Sequence, residues 1–243
     1  MIVLIITAVR IKSMDSHRIS GRILAENIAG PGMLRLVEQS MQARARKTSV
    51  TEIAVKERKH PQAALTFDDG PDIRYTPLLL DGLKERNVRV SFFLLGEKVE
   101  QYPELVERMQ KEGHLVGNHT YHHVQLDKLN ETKAREEILK TNNLIYETTG
   151  VYPLYLRPPF GAWKKNLELC VEMLPVFWTI DTLDWKVKNT EKIVRTVKEQ
   201  IEDGAIILMH DEYDTSVEAA LQVADELKNQ GYELVTVDQL ILP

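Results

Sequence analysis

From Pro61 to the carboxyl end, short apolar runs alternate with longer helix-patterned stretches, and this alternation constrains the fold more than any other property of the sequence. The runs at 63–67, 88–94, 115–117, 154–156, 176–179, 205–209 and 233–237 are short and continuously apolar, as strands buried on both faces are. The stretches between them carry helix punctuation. Thr76-Pro77 places a capping hydroxyl before a first-turn proline, and Gly113, Gly150 and Gly231 follow periodic segments as stops. Strand and helix in regular alternation imply an α/β fold, a parallel sheet covered by helices. Seven strand signals are many for a small open sheet. A closed or nearly closed barrel is one reading, and a doubly wound sheet is the other.

The chain before Pro61 has a different character. Residues 17–59 are polar and helix-prone, broken by Gly30-Pro31-Gly32. The charged stretch 42–58, which includes Ala43-Arg44-Ala45-Arg46-Lys47, reads as a solvated helix or linker. Residues 1–60 are therefore expected to be an extension to a catalytic domain at 61–243. The apolar run 1–9, followed by Arg10 and Lys12, is shorter than the roughly 20 residues of a spanning helix. Three readings fit it: the tail of a membrane anchor, a signal sequence, or a strand.

Charge and cysteine narrow the function classes. A formal net charge of −5 gives no basic field for nucleic acid, which is not an expected partner. Cys170 is the only cysteine, so neither an intramolecular disulfide nor a thiolate metal cluster can form. It lies in a helix-like stretch, 163–174, and reads as a small buried hydrophobe.

The polar residues with chemical potential sit directly after the strand signals. Asp68-Asp69-Gly70-Pro71 follows the first, His119-Thr120-Tyr121-His122-His123 the third, and Arg157-Pro158-Pro159-Phe160-Gly161 the fourth. Asp181-Thr182-Leu183-Asp184-Trp185 follows the fifth, and His210-Asp211 the sixth. Parallel barrel strands open their C-terminal ends on one face, so five sequence-distant clusters are expected at one mouth. Two adjacent carboxylates repel when ionised, and burying them together calls for a cation or a proton between them. His119 and His123 are four apart, a spacing that on a helical turn puts both imidazoles on one face, able to grip one ion. His122 and His114 compete for that role.

Two histidines and a carboxylate with open positions suit two chemistries. Zinc in such a site acidifies water and polarises a carbonyl, whereas Fe(II) in the same ligand set activates oxygen. A carboxylate base and an imidazole acid are both on offer here, so hydrolysis fits better than oxygenation.

Thr66-Phe67-Asp68-Asp69-Gly70-Pro71, His119-Thr120-x-x-His123, Arg157-Pro158-Pro159-Phe160-Gly161, Asp181-x-x-Asp184-Trp185 and Leu208-Met209-His210-Asp211 resemble the five ordered motifs of the NodB-homology polysaccharide deacetylases. The resemblance runs from about Pro61 to the carboxyl end. It implies a distorted (β/α) barrel of about seven strands and a divalent metal, most often zinc, with cobalt or manganese as substitutes. It further implies that Asp69, His119 and His123 hold the metal. Asp68 would be the general base, oriented by Arg157, and His210 the general acid, paired with Asp184. Main-chain N–H at Phe160 would donate to the attacked carbonyl, where relatives more often carry Tyr. Trp185 and Leu208 would pocket the acetyl methyl.

These roles make physical sense. A nearby cation holds a base ionised, and a carboxylate partner holds an imidazole protonated. The expected substrate is an N-acetylglucosamine polymer, peptidoglycan or chitin-like, in an extracytoplasmic setting. An acetyl-xylan esterase on the same scaffold and a non-catalytic carbohydrate-binding module are the alternatives. His122, beside a motif histidine, is expected to be a solvated neighbour.

Overall fold

The computed structural model describes residues 59–163 and 171–241. The readings attached to residues 1–58 and to Cys170 lie outside the described residues.

Strand β1 (Gln62–Asp68) shows how the chain builds two interiors from one pleat. Ala63, Leu65 and Phe67 join a core with helical residues such as Leu79, Leu83, Val217 and Ala220. Ala64, on the opposite face, packs with Phe93 and Tyr155 of other strands and with Val176, which directly follows another. Thr66 and Asp68 share that inner face, so polar chemistry is carried inside the sheet's curl.

The chain continues through α1 (Tyr75–Glu85), β2 (Ser91–Leu94), α2 (Gly96–Gln101), α3 (Pro103–Lys111), β3 (Leu115–Asn118) and α4 (Glu131–Thr149). Then come β4 (Tyr155–Leu156), β5 (Leu174–Pro175), β6 (Ile180–Asp181), α5 (Asp184–Val187), α6 (Thr190–Gln200), β7 (Ala205–His210), α7 (Asp214–Asn229), β8 (Glu233–Leu234) and α8 (Val237–Ile241). The strand order is β5-β4-β3-β2-β1-β7-β6, with β8 pairing β1, and the pairings are parallel.

That order decides between the two sequence readings. The edge strands β5 and β6 are separated by residues 176–179 alone, which extended chain can stretch over about 18 Å at most. A flat sheet of seven strands would set its edges about 29 Å apart. The sheet must therefore curl into a distorted barrel. Each edge stays bonded to its inner neighbour close up to the gap, the Val176 N–H donating to Leu156 O at 2.8 Å and the Thr179 N–H to Ile206 O at 2.9 Å, while among the described residues β5 and β6 do not pair with each other. Along the chain, Phe177 and Trp178 link these two bonded residues.

Several local expectations shift. Residues 176–179 form this seam rather than a strand, with β5 and β6 flanking it. The helix-like reading of 163–174 fails at its described end, where Val171 to Met173 are not helical and Leu174 is in β5. Thr76 does not cap α1. Instead Asp72 Oδ1 accepts from the N–H groups of Arg74 and Tyr75, both at 2.8 Å, and Thr76 lies inside the helix. Elsewhere the punctuation follows local chemistry. Asn130 caps α4 by accepting from Lys133 N–H, and Gly150, at φ 71, ends it in the left-handed conformation that spares glycine a Cβ clash. Among the described residues, no helix is long and apolar enough to cross a membrane.

Candidate active site

Parallel pairing brings the strand ends to one mouth, and register sets the neighbours there. Asp68 stands opposite His210, and Thr66 opposite Leu208. Beta-strand alternation places His210 and Leu208 on the same face of β7.

Three side chains converge beside Asp68. One ligating atom from each of Asp69, His119 and His123 lies within 4.8 Å of the others. Asp69 Oδ1 is 3.4 Å from both His119 Nε2 and His123 Nε2. His119 Nδ1 lies 2.6 Å from the Arg157 carbonyl, which can only accept, so Nδ1 bears the proton and Nε2 presents its lone pair to the cluster. Burial lowers the pKa of His119 to about 3, against the pull of Asp69, so the ring is neutral.

The two histidines do not share a helical turn. They sit at the ends of a loop in which Thr120 and His123 take positive φ of 68 and 54. Spacing suggested one face of a helix; the backbone achieves the same convergence by two left-handed residues. Asp69 is also left-handed, at φ 70. Such conformations cost of order 1–3 kcal/mol each outside glycine and persist only where the surroundings over-determine them.

Next to this cluster is a buried ion pair. Arg157, fully buried, donates from Nη1 to Asp68 Oδ1 at 2.8 Å and to Thr66 Oγ1 at 2.7 Å. Thr66 in turn donates to Ile207 O at 2.7 Å. The guanidinium carbon lies 4.2 Å from the centroid of the Phe93 ring, which faces a cation favourably. The second oxygen, Asp68 Oδ2, is left facing His119 Nε2 at 3.7 Å. Burial raises the Asp68 pKa above the ordinary carboxylate value, and Arg157 and His210 only partly offset it. The expectation of a depressed Asp68 rested on a neighbouring cation; among the protein's own groups, desolvation dominates.

On the other side of the cluster, His210 Nδ1 is 2.8 Å from Asp184 Oδ1, and the His210 N–H donates to Asp184 Oδ2 at 2.8 Å. His210 Nε2 faces Asp69 Oδ2 at 3.9 Å. Burial pulls the imidazolium pKa down. The Asp184 hydrogen bond and charge, aided by Asp68 and Asp69, win and raise it to about 9. Asp184 is itself lowered, because its bonds to His210 outweigh burial.

Leu208 is buried on the inner face. Trp185 is 49% exposed, in α5 directly after Asp184. Phe160 is left-handed at φ 60 and 67% exposed, its ring edge-on to His123 at 4.6 Å. His122 points away to Glu137, and His114 is buried with Nδ1 accepting from Val90 N–H, so neither joins the cluster. Thr66 escaped the sequence reading as a site residue. The two-residue spacing from Asp68 on one strand would have placed it on the same face. Asp211 supports the first motif: it is fully buried, accepts from Thr76 hydroxyl, and would meet a Cβ on Gly70 at 2.5 Å.

The three-residue cluster fits a divalent metal. Asp69 Oδ1 is buried without a hydrogen-bond partner while two imidazole nitrogens face it, a grouping that needs positive charge at its centre. Ligand atoms around a tetrahedral zinc with bonds near 2.0–2.1 Å stand about 3.3–3.4 Å apart, matching the separations from Asp69.

Comparison with known proteins bears on the family. The family described as "Polysaccharide deacetylase" matches residues 55–177. Peptidoglycan-N-acetylglucosamine deacetylase PgdA of Listeria monocytogenes serotype 1/2a (strain 10403S) is 42% identical over 185 residues, covering 76% of this chain and 40% of that protein. Peptidoglycan-N-acetylmuramic acid deacetylase PdaC of Bacillus subtilis (strain 168) is 43% identical over 177 residues, covering 73% and 38%. The chain thus spans about two fifths of the length of these relatives. The solved structure of PdaC superposes with a TM-score of 0.73 at 42% identity, over 75% of this chain and 91% of that one. The chain belongs to the polysaccharide deacetylase family.

Proposed function

We propose that this protein is a metal-dependent hydrolase that removes N-acetyl groups from N-acetylglucosamine residues of peptidoglycan. The observation that carries the reading is one cluster, Asp69, His119 and His123, flanked on one side by a buried carboxylate and on the other by a carboxylate-paired imidazole. The relatives named for peptidoglycan deacetylation support the substrate class. Residues 61–243 form the catalytic domain in this reading, with 1–60 an extension. The polymer places the enzyme outside the cytoplasm.

Asp69, His119 and His123 hold the ion, and zinc suits their nitrogen and oxygen donors, with cobalt or manganese as substitutes. Bound there, a divalent ion supplies Lewis acidity for the amide carbonyl and for water. Arg157 occupies Asp68 Oδ1, so Oδ2 is the oxygen that takes the proton of the attacking water. Burial alone raises the Asp68 pKa, and a cation held beside it would pull that pKa back down, so the carboxylate is ionised and able to accept the proton. The Phe160 main-chain N–H donates to the carbonyl oxygen as charge develops there. His210, protonated because Asp184 holds it so, delivers a proton from Nε2 to the leaving amine, which is too basic to depart as an anion. Leu208 and Trp185 line the place of the acetyl methyl.

The test is acetate release from peptidoglycan fragments and chito-oligosaccharides, with and without chelator, and with zinc, cobalt and manganese restored in turn. Mass spectrometry of the products identifies the sugar. Loss of acetate release on chelation and its return with metal are expected; hydrolysis untouched by complete metal removal overturns the reading.

A further inference from the structure

The loop between the two metal-site histidines is clamped by a residue far away in sequence. Glu137, on the second turn of α4, is largely buried and makes three hydrogen bonds to it. Its Oε2 accepts from the backbone N–H groups of Tyr121 at 3.0 Å and His122 at 2.9 Å. Its Oε1 is 2.8 Å from His122 Nδ1. These bonds fall at Tyr121 and His122, two of the three residues between His119 and His123. Around them the loop is held from both sides. Gly96 and Glu97, at the start of α2, donate to the carbonyls of Thr120 and Tyr121. The Tyr121 hydroxyl bonds Glu100 of α2, and the ring carries the Lys140 ammonium of α4 at 3.4 Å. Asn118, just before the loop, accepts from Thr120 N–H and donates to Ile138 O and to Asn142.

This architecture accounts for His122, which no step of the proposed reaction uses. It also answers a physical question posed by the backbone. Thr120 and His123 are both left-handed, so the loop holds unfavourable conformations at two of its five residues. Something outside it must supply the compensation. A carboxylate that accepts two consecutive N–H groups and one imidazole does so with charge-assisted bonds.

We propose that Glu137, with His122, is a positioning residue for the metal site: it holds the loop in the one shape that aims His119 and His123 at a common centre. The proposal rests on the metal-site reading given above. Its consequence is a lower metal affinity when the clamp is removed, with the bound site still working. Partners that orient metal ligands from outside the site are typically worth roughly 10–100-fold in affinity.

The experiment uses the full chain and zinc itself, titrated by calorimetry from a metal-free state, with melting temperature measured in chelator. Glu137→Met keeps length and helix propensity but removes all three acceptor contacts; it is expected to weaken zinc binding roughly 10–100-fold. Glu137→Gln retains an amide oxygen for the two backbone N–H groups and should recover most of that loss. His122→Ala, which deletes one bond of three, should fall between the parent and Glu137→Met. Turnover of the two Glu137 variants at saturating zinc should stay within about threefold of the parent, the affinity having absorbed the loss. Zinc affinity in Glu137→Met within about twofold of the parent overturns the inference, and so does an affinity loss matched by collapse of metal-free stability. A parent chain that binds no zinc would instead sink the metal-site reading, an outcome distinct from either.

Discussion

Asp184→Asn separates the charge of the His210 partner from its shape. The amide keeps the side-chain volume and one acceptor oxygen for the His210 N–H, now bonded at 2.8 Å. What it loses is the negative charge that keeps His210 protonated. In the parent, burial opposes protonation and Asp184 more than reverses it, holding the imidazolium pKa at about 9. Without the carboxylate, burial remains while the two largest raising influences vanish, so the value should drop to the ordinary 6.5 or below. That is a fall of about 2.5 pH units, or roughly 3.4 kcal/mol of lost preference for the charged ring. The sign follows from the role. A general acid works while protonated, so activity holds below its pKa and is lost as pH rises through it. At pH 8 the ring would be roughly 90% protonated in the parent and roughly 3% in the variant, a deficit of about 30-fold that nearly closes near pH 5.5. The assay is kcat/KM for acetate release from a chito-oligosaccharide across pH 5 to 10. An alkaline limb that stays in place in Asp184→Asn, or a loss equal at every pH, refutes the assignment of His210 as an acid poised by Asp184.

Arg157→Ala should leave Asp68 buried without its ion-pair partner, a change that typically costs about 3–5 kcal/mol; urea unfolding at neutral pH measures it, and a loss under about 1 kcal/mol would contradict the pairing. Asp211 gives a pH signature in stability. Burial raises its carboxyl to about 7 from the ordinary 3.8, so its stabilising contribution is complete below about pH 4 and disappears as pH rises through about 7. The difference in unfolding free energy between the parent and Asp211→Asn should therefore shrink from pH 4 to pH 8, and a flat difference would contradict the shift.

Much of the site was legible because its residues announce themselves by position. Asp68, His119, Arg157 and His210 follow apolar runs whose strand character needs only local pattern, and parallel topology then brings their ends together. The fold was less legible where closure is tertiary. Nothing local marks Phe177 and Trp178 as the seam, since residues 176–179 carry the same apolar signature as a strand, and it is the curl of the sheet that leaves them between two edges. The spacing of His119 and His123 suggested a helix because spacing carries no φ angles, and two left-handed residues reach the same convergence. Glu137 was invisible for a related reason. It lies on a polar helical stretch, and only packing of α4 against the loop turns a solvated-looking carboxylate into a clamp. Thr66 could have been found, since alternation on β1 puts it beneath Asp68. Thr76 misled because a hydroxyl before proline caps helices in general, whereas here it bonds Asp211 from within α1.

The proposed chemistry stands or falls on Asp69, His119 and His123 sharing one ion. Anomalous diffraction at the zinc edge from zinc-loaded crystals tests it most directly. A single strong peak is expected at this mouth, bonded to one Asp69 oxygen and to Nε2 of both histidines, and lost in Asp69→Asn. A peak elsewhere, or one at this mouth that lacks either imidazole, would rule out a shared ion.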